Sequence, residues 1–263
     1  MSLTRYANLI ANIKNWETYF AHKHFHAGRA GADVEYLTRR GFRLAVPPHR
    51  FAEFKEVFVQ QVYWPECWKG VDPGTIRRVI DVGANIGFFT LFAVQKFPMA
   101  RVVAVEPIRE NHARLVRLLE GNPDAAAKAL HLALAGHGNG ITLRFDATEV
   151  FTTAATIFDQ SSYRPDWSAE VVKEEQVPSL TLEALLEQEG VERCDLLKLD
   201  CEGSEYEILY GADPGVLRRI QRVAIETHPG PKPEQRPEAL EAFLGRAGFR
   251  TWSREAMLYG ERS

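Results

Sequence analysis

The chain has 263 residues, 45% of them hydrophobic and 25% charged, with a formal net charge of −3 and a pI near 6.3. That balance fits an ordinary globular protein and argues against a nucleic-acid partner, which usually demands a basic patch or a high pI. No apolar run approaches the ~20 residues of a membrane span, and the N-terminus (MSLTRYANLIANIKNWETYF) has Asn, Lys and Glu where a leader peptide needs an apolar core, so a cytoplasmic protein free of the membrane is expected.

In chain order, Leu9, Ile10, Ile13, Trp16 and Phe20 recur near a 3.6-residue period and predict an amphipathic helix over residues 5–25. Extended pieces come next in VEYLTRRGFRLAVPP, broken at Gly41 and at Pro47-Pro48. FAEFKEVFVQQVYWPECW predicts a helix closing on Pro65, with Trp64 and Trp68 as either lid or core residues. Residues 1–72 thus read as an N-terminal extension, a possible lid or oligomerisation element, and residues 73–263 as the main domain. From Arg77 the pattern becomes strand and helix in alternation. RRVIDVG, RVVAVEP, ALHLAL, ITLRF, CDLLKLD and RRVAIETH read as strands, and IGFFTLFAVQKF, RENHARLVRLLEG, TLEALLEQEG, SEYEILYG and PEALEAFLGRAG as helices. FRTWSRE and AMLYGER close the chain as two strands, and residues 146–178 are polar and unassigned.

Such alternation argues for an α/β fold with a mainly parallel sheet and helices on both faces. Ligands of such sheets bind outside the carboxyl ends of the strands. The residues at those ends are Asp81–Gly87, Glu106, Leu134–Ala135, Asp200–Glu205 and Glu226–His228. In VIDVGANIGFF, Gly83 and Gly87 allow a sharp turn, but Asn85 stands where a dinucleotide fingerprint has its second glycine and would crowd a pyrophosphate. A smaller ligand without phosphates tolerates it. Glu106, nineteen residues after Gly87, ends the second strand where an acid can hold both hydroxyls of a ribose. The three cysteines, Cys67, Cys194 and Cys201, show neither disulfide nor zinc spacing.

VIDVGANIGFFT, VVAVEP and LLKLDCEGSEYEIL together resemble the FkbM family of S-adenosylmethionine-dependent methyltransferases. The resemblance implies a Rossmann-like, class I, seven-stranded sheet and O-methylation of a hydroxyl on a sugar or other natural product. By motif position it implies that Asp81 and the loop of Gly83, Ala84, Asn85 and Gly87 hold the amino-acid part of the donor, with Glu106 on its ribose. Ala133 and Leu134 would border the adenine, Pro107 would pack on its face, and Asp200 would stand where donor and acceptor meet.

LLKLDCEGSEYEIL also places Asp200, Glu202, Glu205 and Glu207 directly after a buried strand. Glu202 and Glu205 suit the first turn of a helix, where exposed N–H groups favour negative charge. Glu205 would point inward, and Glu207, on another face, would be solvated. His228 is the leading general base, with Asp200 or Glu202 as rivals. Alternatively, Asp200 and Glu226, with another acid, bind Mg²⁺ and lower the pKa of the acceptor hydroxyl. Lys198 either snorkels toward these acids or pairs with Asp81. An NAD(P)-dependent oxidoreductase and a non-catalytic binding protein are the competing readings, the first disfavoured by Asn85.

Overall fold

The computed structural model describes residues 3–26, 31–146, 155–156 and 172–262. The N-terminal extension contributes α1 (Leu3–Asn12), α2 (Thr18–Ala21), a hairpin of β1 (Val34–Leu37) and β2 (Arg43–Val46), and α3 (Phe51–Phe54), which runs into a widened turn at Lys55–Gln60. The single helix expected over residues 5–25 breaks after Asn12 because Ile13 and Asn15 are drawn to the β1 backbone instead. The Leu37 N–H donates to Asn15 Oδ1 at 2.8 Å, Asn15 Nδ2 donates to the Glu35 carbonyl at 3.0 Å, and Ile13 bridges to Thr38. The helix expected to close on Pro65 also stops early. Gln61 takes a left-handed backbone conformation (φ 54°) and turns the chain, leaving Pro65 to open a 3-10 turn at Glu66–Trp68.

Strand and helix then alternate through β3 (Arg78–Val82), α4 (Phe88–Lys96), β4 (Arg101–Val105), α5 (Arg109–Glu120), β5 (Ala127–Leu130) and β6 (Ala133–Leu134). Strands β7 (Ile141–Asp146), β8 (Ala155–Thr156) and β9 (Val172–Val177) form a separate antiparallel sheet, and β10 (Ser179–Leu180) pairs with β6. Much of the 146–178 stretch lies outside the described residues. The chain ends with α6 (Leu182–Gln188), β11 (Leu196–Leu199), α7 (Glu205–Tyr210), α8 (Pro214–Arg218), β12 (Arg222–Glu226), α9 (Pro237–Arg246), β13 (Phe249–Arg254) and β14 (Met257–Arg262). ALHLAL, expected as one strand, is divided at His131, whose Nε2 lies 3.0 Å from the Pro107 carbonyl; only its first half joins the main sheet.

The main sheet has seven strands in the order β5-β4-β3-β11-β12-β14-β13. All neighbours from β5 to β12 are parallel, and β14 lies antiparallel between β12 and β13. Side chains alternate between the two faces of each strand. Val79 and Leu196 pack with α4 and the extension, including Leu9, Phe54 and Phe58, whereas Ile80, Val82, Leu197 and Leu199 pack with residues of α6 to α9. Helix α4 is apolar all round because the sheet covers one side and the extension the other. Trp64 and Trp68 belong to this core: both are buried, and Trp64 meets the Phe97 ring at 4.8 Å.

Two consequences of this layout shape the site. The chain runs outward from β3 to β5 and then returns to β11 on the other side of β3, which makes the β3–β11 boundary the switch point where a crevice opens beyond the strand ends. The parallel register also sets Lys198 beside Asp81, on the face covered by α4 and the extension.

Candidate active site

The first wall of the crevice is the β3–α4 turn. Gly83 has φ +70°, and a Cβ there would fall 1.8 Å from the Asp200 carbonyl oxygen, so only glycine lets this turn pass the end of β11. Its N–H and that of Ala84 both donate to the Val105 carbonyl, which ties the turn to β4. Glu106, the first residue after β4, is buried. Its Oε2 accepts the Asn85 N–H at 2.8 Å, and its Oε1 accepts the Ile108 N–H at 2.9 Å. Burial pushes its carboxyl up to about 7 against the opposing pull of those N–H groups.

The second wall is built on a buried cation. Lys198 Nζ lies 3.1 Å from Asp81 Oδ1 and 3.6 Å from Asp200 Oδ2, and it donates to the Val82 and Gly83 carbonyls. Burial alone would lower its pKa, but the Asp81 and Asp200 charges outweigh that and hold it above the ordinary lysine value. Asp81, which also accepts from Thr90 Oγ1 at 2.6 Å, has no solvent exposure. The Tyr63 hydroxyl of the extension reaches 2.9 Å from both Asp200 Oδ2 and Glu226 Oε2. Its position is fixed from behind, where Tyr259 Oη donates to the Val62 carbonyl at 2.6 Å and the Phe89 ring stands edge-on at 5.2 Å.

The β11–α7 loop forms the third wall. Glu205, with no solvent exposure, accepts the Cys201 N–H at 2.6 Å and the Gly203 N–H at 2.9 Å, and lies 3.0 Å from His228 Nδ1. The expected inward carboxylate is therefore the brace of its own loop. Glu202, held at φ 51°, turns its Oε2 to 3.8 Å from His228 Nε2. Burial would lower the His228 pKa, but the hydrogen bond and charge of Glu205, followed by Glu202 and Asp200, push it up to about 10. An imidazolium has no lone pair to offer, so these surroundings do not suit the expected role of general base. Glu207 is not solvated as expected: it is half-buried, accepts the Gly136 N–H at 3.4 Å and is pushed up by burial.

Two cavities meet at this point. One is lined by Gly83, Asn85, Glu106, Pro107, Ile108, Ala133, Leu134 and Asp200, among others. The other is lined by Glu56, Tyr63, Ala84, Lys198, Glu226 and His228, among others. Gly83, Asn85, Asp200 and Glu202 belong to both. Of the expected donor-binding residues, Gly83, Asn85, Glu106, Pro107, Ala133, Leu134 and Asp200 face the first cavity, and Ala84 faces only the second. Asp81 and Gly87 face neither: Asp81 acts through Lys198, and Gly87 (φ +96°) starts α4 against Leu115 and Leu118. Sequence reasoning missed Glu53, Glu56 and Tyr63. The three-residue spacing of Glu53 and Glu56 on one helical face was a readable sign of a shared surface, whereas Tyr63 gave none.

A sheet of this order, with a glycine turn after its first strand and an acid closing its second, has the Rossmann-like architecture of class I methyltransferases. A family model described as the methyltransferase FkbM domain matches residues 81–251, and the chain belongs to that family of methyltransferase enzymes. Among similar proteins, the methyltransferase sdnD of Sordaria araneosa is 26% identical over 217 residues, covering 74% of this chain and 80% of its own. The 31-O-demethyl-FK506 methyltransferase FkbM of Streptomyces tacrolimicus is 29% identical, covering 66% and 73%. The AMB antimetabolite synthetase AmbE of Pseudomonas aeruginosa is 28% identical over 79% of this chain, which spans only 11% of that much longer protein. Among solved structures, a METTL16 methyltransferase domain covers 97% of this chain and 90% of its own at 11% identity, with a TM-score of 0.48.

Family and fold imply S-adenosylmethionine as the methyl donor, and the first cavity has the features such a ligand requires. Asn85 Oδ1 is buried there without a hydrogen-bond partner among the described residues, and the desolvated Glu106 carboxylate suits a diol that brings two O–H donors. A metal fits less well. Among the described residues no group of three or more His, Cys, Asp and Glu side chains gathers as for a metal ion. The Asp200 and Glu226 oxygens share the Tyr63 hydroxyl, and a dication between them would displace it while facing the Lys198 ammonium. The two acids expected to bind Mg²⁺ therefore do not form a site for it.

Proposed function

We propose that this protein transfers a methyl group from S-adenosylmethionine to a hydroxyl oxygen of a small hydroxylated acceptor. The observation that carries this reading is the junction of the two cavities at Gly83, Asn85, Asp200 and Glu202, which would bring donor and acceptor end to end. A relative named for a 31-O-demethyl substrate supports oxygen as the methylated atom. When bound, the donor supplies a methyl group on a positively charged sulfur that leaves as a neutral thioether.

The chain's own residues do the rest. Glu106 holds the ribose, and the apolar Ile108, Ala133 and Leu134 enclose the base. Asp200, at the junction and partly open, takes the acceptor proton as the new O–C bond forms. Lys198 and the Tyr63 hydroxyl keep the Asp200 carboxylate aimed. The imidazolium of His228 keeps Glu202 and Glu205 in place. Alignment of nucleophile and methyl group supplies much of the rate in such displacements.

The test is calorimetric titration of S-adenosylhomocysteine into wild-type protein and Glu106→Ala. Micromolar binding that the substitution weakens at least tenfold is expected. Folded wild-type protein that ignores S-adenosylhomocysteine but binds NAD(P) would replace this reading with the oxidoreductase one.

A further inference from the structure

The second cavity holds more negative charge and more hydrogen-bond acceptors than its wall can satisfy. Its described lining includes Glu53, Glu56, Asp200, Glu202 and Glu226 against the bases Lys198 and His228. Both bases are committed, Lys198 to Asp81 and Asp200, and His228 to Glu205 and Glu202. Glu53 pairs with Arg50 at 2.9 Å. Glu56, which is exposed, and the half-buried Glu226 make no ion pair among the described residues. With five carboxylates against two cations, this lining carries an excess of negative charge that a cationic ligand would balance.

A separate count gives the same result for hydrogen-bond donors. Tyr63 is 6% exposed, and its hydroxyl has one proton, yet its oxygen sits 2.9 Å from two carboxylate oxygens. The single Tyr63 proton cannot serve both acids, so the cavity is short of a donor there as well.

We propose that the acceptor carries a protonated amine beside the hydroxyl that is methylated, and that Glu56 and Glu226 recognise the ammonium. This rests on the methyltransferase reading above and names its substrate class. An ammonium brings one positive charge and three N–H donors, which answer that excess of negative charge and of acceptors. Recognition in this form also selects the methylated atom. A protonated amine has no lone pair with which to attack the methyl carbon, whereas the neighbouring hydroxyl does. As the O–C bond forms and the C–S bond breaks, the hydroxyl proton passes to Asp200 and the sulfur leaves neutral. Glu56 lies on the widened turn at Lys55–Gln60, outside the family-matched residues 81–251, and Glu226 lies within them.

The experiment uses the full chain saturated with S-adenosylhomocysteine and two matched pairs of probes: glucosamine with N-acetylglucosamine, and ethanolamine with ethylene glycol. Calorimetry should show the amine of at least one pair binding at least tenfold more tightly than its neutral partner, equivalent to ~1.4 kcal/mol. The preference should shrink at high salt and fall at least threefold in Glu56→Gln and in Glu226→Gln, with S-adenosylhomocysteine binding as the check that each variant is folded. Equal binding within both pairs, or no binding by any probe, overturns the amine proposal while leaving the methyltransferase reading intact. If S-adenosylhomocysteine itself fails to bind, the methyltransferase reading falls with it.

Discussion

Glu205→Gln is the sharpest probe of how the crevice is held together. The wild-type carboxylate accepts two loop N–H groups and the His228 ring, all without solvent exposure of its own. An amide keeps one oxygen, so its NH₂ must face one of those donors, and a buried unsatisfied donor costs about 1–3 kcal/mol. The lost charge acts on His228. Raising an imidazole from 6.5 to about 10 is worth roughly 5 kcal/mol, and after the opposing effect of burial Glu205 heads the causes that raise it. Because the folded value lies above the unfolded one, this stabilisation is fully present below pH 6.5 and is lost as the pH rises toward 10. The variant should therefore be less stable than wild type by ~3–5 kcal/mol at pH 6 and by only ~1–3 kcal/mol at pH 10. Urea unfolding across that range, with an NMR titration of the His228 ring, measures both parts. A pH-independent gap between the two proteins, or a His228 that still titrates near 10 in the variant, would refute the reasoning.

Three further outcomes are expected. Lys198→Met leaves Asp81 and Asp200 without their shared cation and should cost about 3–5 kcal/mol in chemical denaturation, partly recovered by adding Asp81→Asn. Gly83→Ala should lower the melting temperature far more than Gly190→Ala. Both glycines have positive φ, a strain of ~1–2 kcal/mol, but only the Gly83 Cβ meets backbone, at 1.8 Å, whereas Gly190 has open space. Glu106, with its carboxyl pushed up to about 7, accepts donor hydroxyls fully only above that pH. S-adenosylhomocysteine affinity should therefore fall by up to roughly 25-fold between pH 7.5 and 5.5, and this dependence should vanish in Glu106→Gln.

The strand ends were legible because apolar runs stopped by glycine or an acid mark buried parallel strands, and the rule for their carboxyl ends then locates the crevice. Gly83, Glu106, Asp200 and Glu226 were found in this way. The errors came where a side chain answered to something distant in sequence. Asn15 serves the backbone of β1, which ends the N-terminal helix, and His131 turns to Pro107, which divides a strand in two. The pairing of Glu205 with His228 went unread for the same reason. A carboxylate at a helix start reads as a response to the helix, but this one is claimed by its own loop and by an imidazole 23 residues on.

Tyr63 extends that lesson to function. It lies 137 residues from Asp200 and 163 from Glu226, so no local pattern could pair them. What brings them together is the left-handed turn at Gln61, the Tyr259 bond to the Val62 carbonyl, and the core that joins the extension to the sheet. The family model thus covers the strand ends that line the crevice, while one wall of its second cavity comes in part from a segment outside that model. On the proposed reading, such a chain can hold its donor site constant and change its acceptor by altering Glu53 and Glu56, so exchanging those two residues tests acceptor choice and exchanging Glu106 tests donor binding.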